Sequence, residues 1–369
     1  MSADGFKSIV QSLRLPVIQA PMAGGPCTVA FVASVLKEGI IGSFGFAYSK
    51  PDAIRDAIKA ARRVAHGPVN ANFFIFPSLQ APSDAALQQA VQALQALAAF
   101  DLAPEDRPAH LQMLERSAIK AAEAPFFPSL EEQLEAVWSA RPELLSFHFG
   151  LPPGWVFDRA RELHIPVLIS ASKRSEALAI EASGASAIVA QGIEAGGHRG
   201  YFDAASSMSI EDGMETLDLV EEVSKHCKLP VVAAGGIMDG EAIRAAIQRG
   251  ACAVQMGTAF LACDESGASA EHKRLLTQEP QRGTVFTRAF SGRFARGIRN
   301  RFTESMQDQQ VLPFPQQNTL TGALRQRSAE TGDPEYQSLW AGRAYPQCRA
   351  EPVKSLLPRL EKSYRMPGG

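Results

Sequence analysis

PVVAAGGIMDGEAIRAAIQRGACAVQMGTAF, residues 230–260, holds two apolar runs of strand length separated by a segment with helical patterning. The helical part ends at Gly250, just before the second run, where a glycine suits a left-handed helix cap. Runs that are apolar on both faces and joined by a helix point to parallel strands covered by helices. The same unit recurs upstream in PVIQAPM (16–22), IIGSFG (40–45), VNANFFIF (69–76), LLSFHFG (144–150), PVLISAS (166–172) and AIVAQG (187–192). Gly39 and Gly184 close helical segments in the same way. With 230–236 and 253–260 this makes eight strands, which predicts a TIM (β/α)8 barrel. An open doubly wound sheet is the competing arrangement, because a strand count does not show closure.

Two regions break the alternation. Residues 77–129, with APSDAALQQAVQALQALAAF and RPAHLQMLERSAIKAAEA between prolines, are too long for a strand-to-helix loop and predict a helical insertion after strand three. After strand eight the chain runs on through TRAFSGRFARGIRNRF (287–302), QSLWAGRAYP (337–346) and PVKSLLPRLEKSYRMPGG, read as a small helical domain. The expected division is therefore a barrel over 1–76 and 130–280, a helical insertion over 77–129, and a C-terminal helical segment over 281–369 packing at the barrel mouth.

The 369 residues are 46% hydrophobic and 21% charged, enough to bury a large core. With 37 basic and 39 acidic residues the net charge is −2, so no global field favours nucleic acid or an anionic membrane. Cys27, Cys227, Cys252, Cys263 and Cys348 are odd in number and scattered without CxxC spacing, which argues against a disulfide framework or a zinc site. No stretch reaches about 18 uninterrupted apolar residues, and the N-terminus lacks a secretory pattern. A soluble cytoplasmic protein is expected, with neither membrane nor nucleic-acid partner and no metal; a homo-oligomer stays open.

In a parallel barrel the active site lies at the C-terminal strand ends, where PMAGG, NANFF, HFG, EAGGHRG, AGGI and QMGT all fall. Gly235, Gly236, Gly257, the helix start near Asp239 and the Thr258 hydroxyl can together receive a phosphate, the alternative being glycines kept only for tight packing. Neither GxGxxG nor GxxxxGK[ST] occurs where a dinucleotide fold or P-loop needs it. Asn70 and Asn72 share one face of a strand and are either free for a ligand or satisfied in the core. His198, among the glycines of GIEAGGHRG (192–200), is the leading catalytic candidate, and His148 the second. His66, His110, His164, His226 and His272 receive no role. At least two of Arg199, Arg293 and Arg296 are expected to be surface ion-pair residues.

The set PMAGGP, NxNFF, SFHFGLP, QGIEAGGHRG, PVVAAGGI and QMGTAFL resembles the nitronate monooxygenase family, formerly the 2-nitropropane dioxygenases, in its class I branch. The likeness runs from about residue 14 to 262 and resumes through TRAFSGRFARGIRNRF and SLWAGR. It implies an FMN-bearing barrel, which supplies an identity for the phosphorylated ligand. By position Pro21, Met22 and Ala23 line the isoalloxazine; Asn72, Gln191 and Gly196 contact the ring or ribityl chain; and Gly235, Gly236, Gln255, Met256, Gly257 and Thr258 receive the phosphate. His198 matches the family's histidine beside flavin and substrate.

The chemistry so implied is oxidative denitrification of an alkyl nitronate, of the type of propionate 3-nitronate, a toxic plant and fungal metabolite. The nitronate gives up an electron to the flavin and O2 completes the reaction to a carbonyl product and nitrite, without reduced nicotinamide. The alternative is an FMN-dependent NAD(P)H oxidoreductase acting on enoyl-thioesters or quinones, whose barrel and AGGH-like loop are similar. Cys27 stands where the family more often has Ser, Arg343 where it has Gln, and Trp340 where it often has Tyr. These positions are expected to border the mouth or the substrate side.

Overall fold

The computed structural model describes residues 3–76, 81–101, 107–123, 125–203 and 213–366. The strands are β1 (Val17–Gln19), β2 (Gly42–Gly45), β3 (Val69–Phe74), β4 (Leu144–His148), β5 (Val167–Ala171), β6 (Ala187–Gln191), β7 (Gly197–His198), β8 (Val231–Ala234), β9 (Ala253–Met256), β10 (Thr284–Thr287) and β11 (Ala295–Ile298). Eight of them form one parallel sheet in the order β1-β9-β8-β6-β5-β4-β3-β2. A parallel bridge between Ile18 and Ile41 joins its two edges, with Gln19 N donating to Ile41 O at 2.9 Å and Ile41 N to Val17 O at 3.2 Å. The barrel thus closes, and the open-sheet alternative is set aside. Gly39, Gly184 and Gly250 take φ of +74°, +93° and +107°, the left-handed caps their positions called for.

Alternation along each strand sorts its side chains into two cores. Ile18, Leu144, Leu168, Ala187, Val232 and Ala253 fill the barrel interior, joined by Phe6 and Val10 of the helix Ala3–Gln11 at the N-terminal strand ends. Val17, Val69, Leu145, Val167, Ile188 and Val254 face outward to the surrounding helices. A fully buried Leu, Ile or Phe of this kind contributes roughly 1.5–3 kcal/mol. The polar ends are left for the opposite rim.

Between β3 and β4 the chain forms the helices Asp84–Asp101, Arg107–Ala122 and Leu130–Ala140. The last starts in a capping box of Ser129 and Glu132 and packs on Pro51–Val64, as a crossover helix should. The other two share a separate core with the C-terminal segment, in which Leu94, Leu114 and Ala121 meet Phe290, Phe302 and Leu320. The expected start of the insertion, residue 77, lies outside the described residues.

Beyond β9 the helices Ala270–Gln278, Arg301–Ser305, Gln316–Leu320, Gly322–Glu330 and Val353–Arg365 accompany a strand pair absent from the sequence reading. β10 and β11 pair antiparallel, and β11 pairs in turn with β7. RAFSGRFARG (288–297) is therefore the connecting loop of a hairpin and most of its second strand. Its arginines hide the alternation that would have marked it as strand.

Candidate active site

One cavity of about 660 Å³ occupies the C-terminal rim. Pro21, Met22 and Ala23 enter its wall after β1, Asn72 from β3, and Gln191 from the end of β6. Gly196 and His198 reach it on β7 and its approach. Gly235 and Gly236 follow β8, while Gln255, Met256, Gly257 and Thr258 lead from β9 into a short helix. Asn70 does not join them: it is buried in the barrel with Nδ2 donating to Ser43 Oγ at 3.1 Å. Asn72 Nδ2 donates to Ser146 Oγ at 3.0 Å.

Two neighbours fix the His198 main chain. Its carbonyl accepts from Gln191 Nε2 at 3.0 Å and from His148 Nε2 at 3.1 Å, while Gln191 Oε1 accepts from Gly200 N at 2.7 Å. Both ends of the Gln191 amide thus hold the loop. On the other side Ala295 and Arg296 of β11 register with His198 and Gly197.

The His198 side chain is oriented by Ser291. Ser291 Oγ donates to Arg293 O at 3.1 Å, so its oxygen is left to accept from His198 Nε2–H at 2.9 Å. That tautomer leaves the lone pair on Nδ1, which has no hydrogen-bond partner among the described residues. The rings of Phe74, Phe149, Phe314 and Trp340 stand 6.0, 5.6, 5.5 and 5.5 Å from the imidazole. Burial among them, with smaller repulsions from His148, Arg293 and Arg325, lowers the His198 pKa to about 3. Burial lowers His148 and His272 to about 4. All three are neutral at neutral pH, and His148 and His198 serve as hydrogen-bond donors, not as cations.

These depressed values tie stability to pH. Between the unfolded value of about 6.5 and about 4 the unfolded chain binds protons that the folded chain refuses, so stability falls as pH falls through that window. Each histidine contributes up to about 1.4 kcal/mol per pH unit there. Thermal melts at pH 7, 6, 5 and 4.5 should show a progressive drop, shallower in a His272→Phe variant. A melting temperature flat from pH 7 to 4.5 is the outcome that contradicts this.

The three arginines near the loop overturn the surface reading. Arg199, Arg293 and Arg296 are all buried. Arg199 donates to the carbonyls of Gln191 and Ser172, and Arg296 to Ile193 O through Nε and Nη2 at 3.1 and 3.0 Å. Arg293 donates to Tyr201 O and lies between the Phe149 and Tyr201 rings, 4.0 and 4.3 Å from their centroids. Burial lowers all three pKa values to about 10. Phe149 itself has φ +79°, a left-handed backbone that places its ring under Arg293 beside His198.

Other expectations are corrected by position. The helix start near Asp239 is occupied: Asp239 Oδ1 accepts from Ala242 N at 2.8 Å and Gly240 N donates to Ser363 Oγ at 2.9 Å. Two of its N–H groups thus serve a cap and the C-terminal helix. Cys27 folds back beneath the turn it follows, accepting from Met22 N at 3.2 Å, and burial raises its thiol to about 11. Arg343 forms an exposed ion pair with Glu215 at 3.1 Å. Of these departures only Trp340 lines the cavity. Glu194 also turns away, both carboxylate oxygens accepting from Thr216 N at the start of the helix Thr216–His226.

Sequence reasoning missed Tyr48, Ser291, His272 and Arg325. All but Ser291 line the cavity. His272, assigned no role, has a buried Nε2 without a partner among the described residues. Three of the four lie beyond β9, where strand–helix alternation no longer ranks positions; the LTGALR run ending at Arg325 was the signal available.

A closed parallel barrel with one large rim cavity and a fixed neutral histidine defines a TIM-barrel enzyme acting on a small molecule. The family model described as nitronate monooxygenase matches residues 7–362, so the chain belongs to the nitronate monooxygenase family and is an oxidoreductase of that kind. A nitronate monooxygenase of Paraburkholderia phytofirmans is 39% identical over 354 residues, covering 95% of this chain and 92% of that protein. A probable nitronate monooxygenase of Staphylococcus aureus is 34% identical, covering 95% and 94%. The solved nitroalkane oxidase of Streptomyces ansochromogenes superposes with a TM-score of 0.86 at 34% identity, covering 97% of each chain. No helix among the described residues is long and apolar enough to cross a membrane, and no group of three or more His, Cys, Asp or Glu among them could hold a metal ion.

Proposed function

We propose that this chain catalyses FMN-dependent oxidative denitrification of alkyl nitronates with O2, giving a carbonyl product and nitrite, with propionate 3-nitronate as the type of substrate. The observation that carries the reading is the oriented, neutral His198 facing the same cavity as the glycine turns after β8 and β9. The residues present fit FMN. No Asp or Glu is among the described residues lining the cavity, so a phosphate meets no like charge. Gly235 and Gly236 have φ of +125° and +69°, and a Cβ on Gly235 would meet Thr216 Oγ1 at 2.6 Å. The Met22–Ala23 backbone is backed by Gly45, whose Cβ would lie 2.6 Å from Ala23 N. Pro21, Met22 and Ala23 would then lie along the ring, with Asn72, Gln191 and Gly196 beside it. Gly235, Gly236 and Gln255 through Thr258 would take the phosphate. Bound there, FMN supplies the electron acceptor.

The protein contributes orientation and a proton acceptor. The lone pair on His198 Nδ1 suits removal of the α-proton of a neutral nitroalkane, which extends the substrate range from preformed nitronates to their parent nitroalkanes. We take the barrel as 1–76 with 130–280, the insertion as 77–129 and the C-terminal part as 281–369, acting together as a cytoplasmic enzyme. The relatives' names favour this reading over the NAD(P)H oxidoreductase alternative.

Anaerobic mixing of the purified yellow protein with propionate 3-nitronate is expected to change the flavin spectrum, and mixing with NADH to leave it unchanged. Nitrite should appear only once O2 is admitted. Rapid bleaching by NADH would move the chain to the reductase reading, and a colourless protein that takes up no FMN would undo both.

A further inference from the structure

Arg325 is the only residue with a permanent charge among the described residues lining the cavity. His148, His198 and His272 are neutral there, so the positive charge facing an anionic substrate has one source. The side chain is held by neutral groups: Nη2 donates to Asn318 O at 2.7 Å and Oδ1 at 3.0 Å, and Nε to Thr321 Oγ1 at 3.3 Å. These use both Nη2 hydrogens and leave the two on Nη1 without a partner among the described residues. No carboxylate among them forms an ion pair with it. A guanidinium so placed lacks a counter-ion, and a bound carboxylate supplies one.

Its place in the cavity indicates which part of a substrate it meets. Arg325 lies on the helix Gly322–Glu330 next to Gln326 and Ala329, which line the cavity yet are exposed, so it stands at the solvent end. The glycine turns and Pro21–Ala23 follow β8, β9 and β1, and His198 sits inside its aromatic ring set. We infer that Arg325 is a specificity residue that receives a carboxylate carried at the far end of the substrate, while the reacting carbon lies beside His198. This rests on the nitronate reading and assigns to one side chain the choice of acid-tailed over alkyl nitronates that its substrate type entails.

The test compares propionate 3-nitronate with propyl 1-nitronate, which has the same carbon count and a methyl in place of the carboxylate. Steady-state kinetics of the holoenzyme should give a lower KM for the acid-tailed substrate. Arg325→Met should raise that KM about 10- to 100-fold, the usual range for a hydrogen bond to a charged group, with a much smaller rise for propyl 1-nitronate and little change in either kcat. Arg325→Lys should recover most of the loss.

Equal rises for both substrates, no rise, or a shared collapse of kcat overturns the proposal. Should Arg325→Met fail to fold, butyrate inhibition of the wild-type enzyme against propyl 1-nitronate decides. Competitive inhibition is expected, and its absence overturns the inference. If the wild type oxidises neither nitronate, the functional reading falls and this inference with it; if it oxidises both without a dependence on Arg325, only this inference falls.

Discussion

Replacing His198 by Asn is expected to lower nitrite formation from a neutral nitroalkane by about 10²- to 10⁴-fold, the range for loss of a positioned acid–base group. Loss on the preformed nitronate should be smaller, because no proton must be removed from it. FMN should remain bound, since the main-chain carbonyl that receives Gln191 and His148 is untouched by the substitution. The pH dependence adds a second reading of the same group. With its pKa lowered to about 3 by burial, His198 is already neutral throughout pH 5–8, so no limb from it should appear in the wild-type kcat/KM profile. Full activity on the neutral nitroalkane in the Asn variant would withdraw the base assignment. A limb near pH 6.5 that disappears with the substitution would show that burial does not hold the ring neutral.

The second large effect is on assembly of the site. A Cβ at Gly196 would lie 2.5 Å from both Ala341 C and Gly342 N, main-chain atoms that cannot swing aside. Gly196→Ala must therefore push the 192–200 loop away from the 338–344 segment. That segment is tied to the rim by Gly342 N donating to Thr258 Oγ1 at 2.9 Å and Arg343 N to Glu194 O at 2.9 Å, bonds that the shift strains. A stability loss of about 1–3 kcal/mol is expected, typical of overpacking, with most of the bound flavin lost. Gly197→Ala is the comparison: nothing lies within 4 Å of its added Cβ, so its cost is limited to the +73° φ, about 1 kcal/mol. Absorbance at 450 nm relative to 280 nm, with a melt, separates the two. Indistinguishable variants would mean that the close approach at Gly196 does not matter.

The barrel was legible because its signal is local. Apolar runs such as AIVAQ and glycine caps such as Gly184 depend on neighbours in sequence, and β6 and its preceding helix lie where those patterns indicate. The rim was legible for the same reason, since parallel strands bring Asn72, Gln191 and Thr258 to one end of the barrel. The partners of those residues were not. Ser291 orients His198 across 93 residues, and Arg293 is neutral-partnered and stacked on rings instead of facing water. A charged residue in a window of mixed composition reads as surface, and only tertiary packing shows that RAFSGRFARG pairs with GHR. Asn70 and Asn72 make the point in miniature: equal by pattern, they are separated by one strand step into core and cavity.

The strand contacts of β7 also set an order of events during synthesis. All eight barrel strands have been made once residue 256 emerges, so the sheet has its full complement before β11 exists. Until residues 291–298 follow, the loop carrying His198 lacks both its edge strand and its serine, and until 325 follows, the mouth lacks its cation. A nascent chain therefore passes through a stage in which all eight barrel strands have been made while the reaction centre, and the helix Val353–Arg365 that packs on the barrel's outer helices, are still to come.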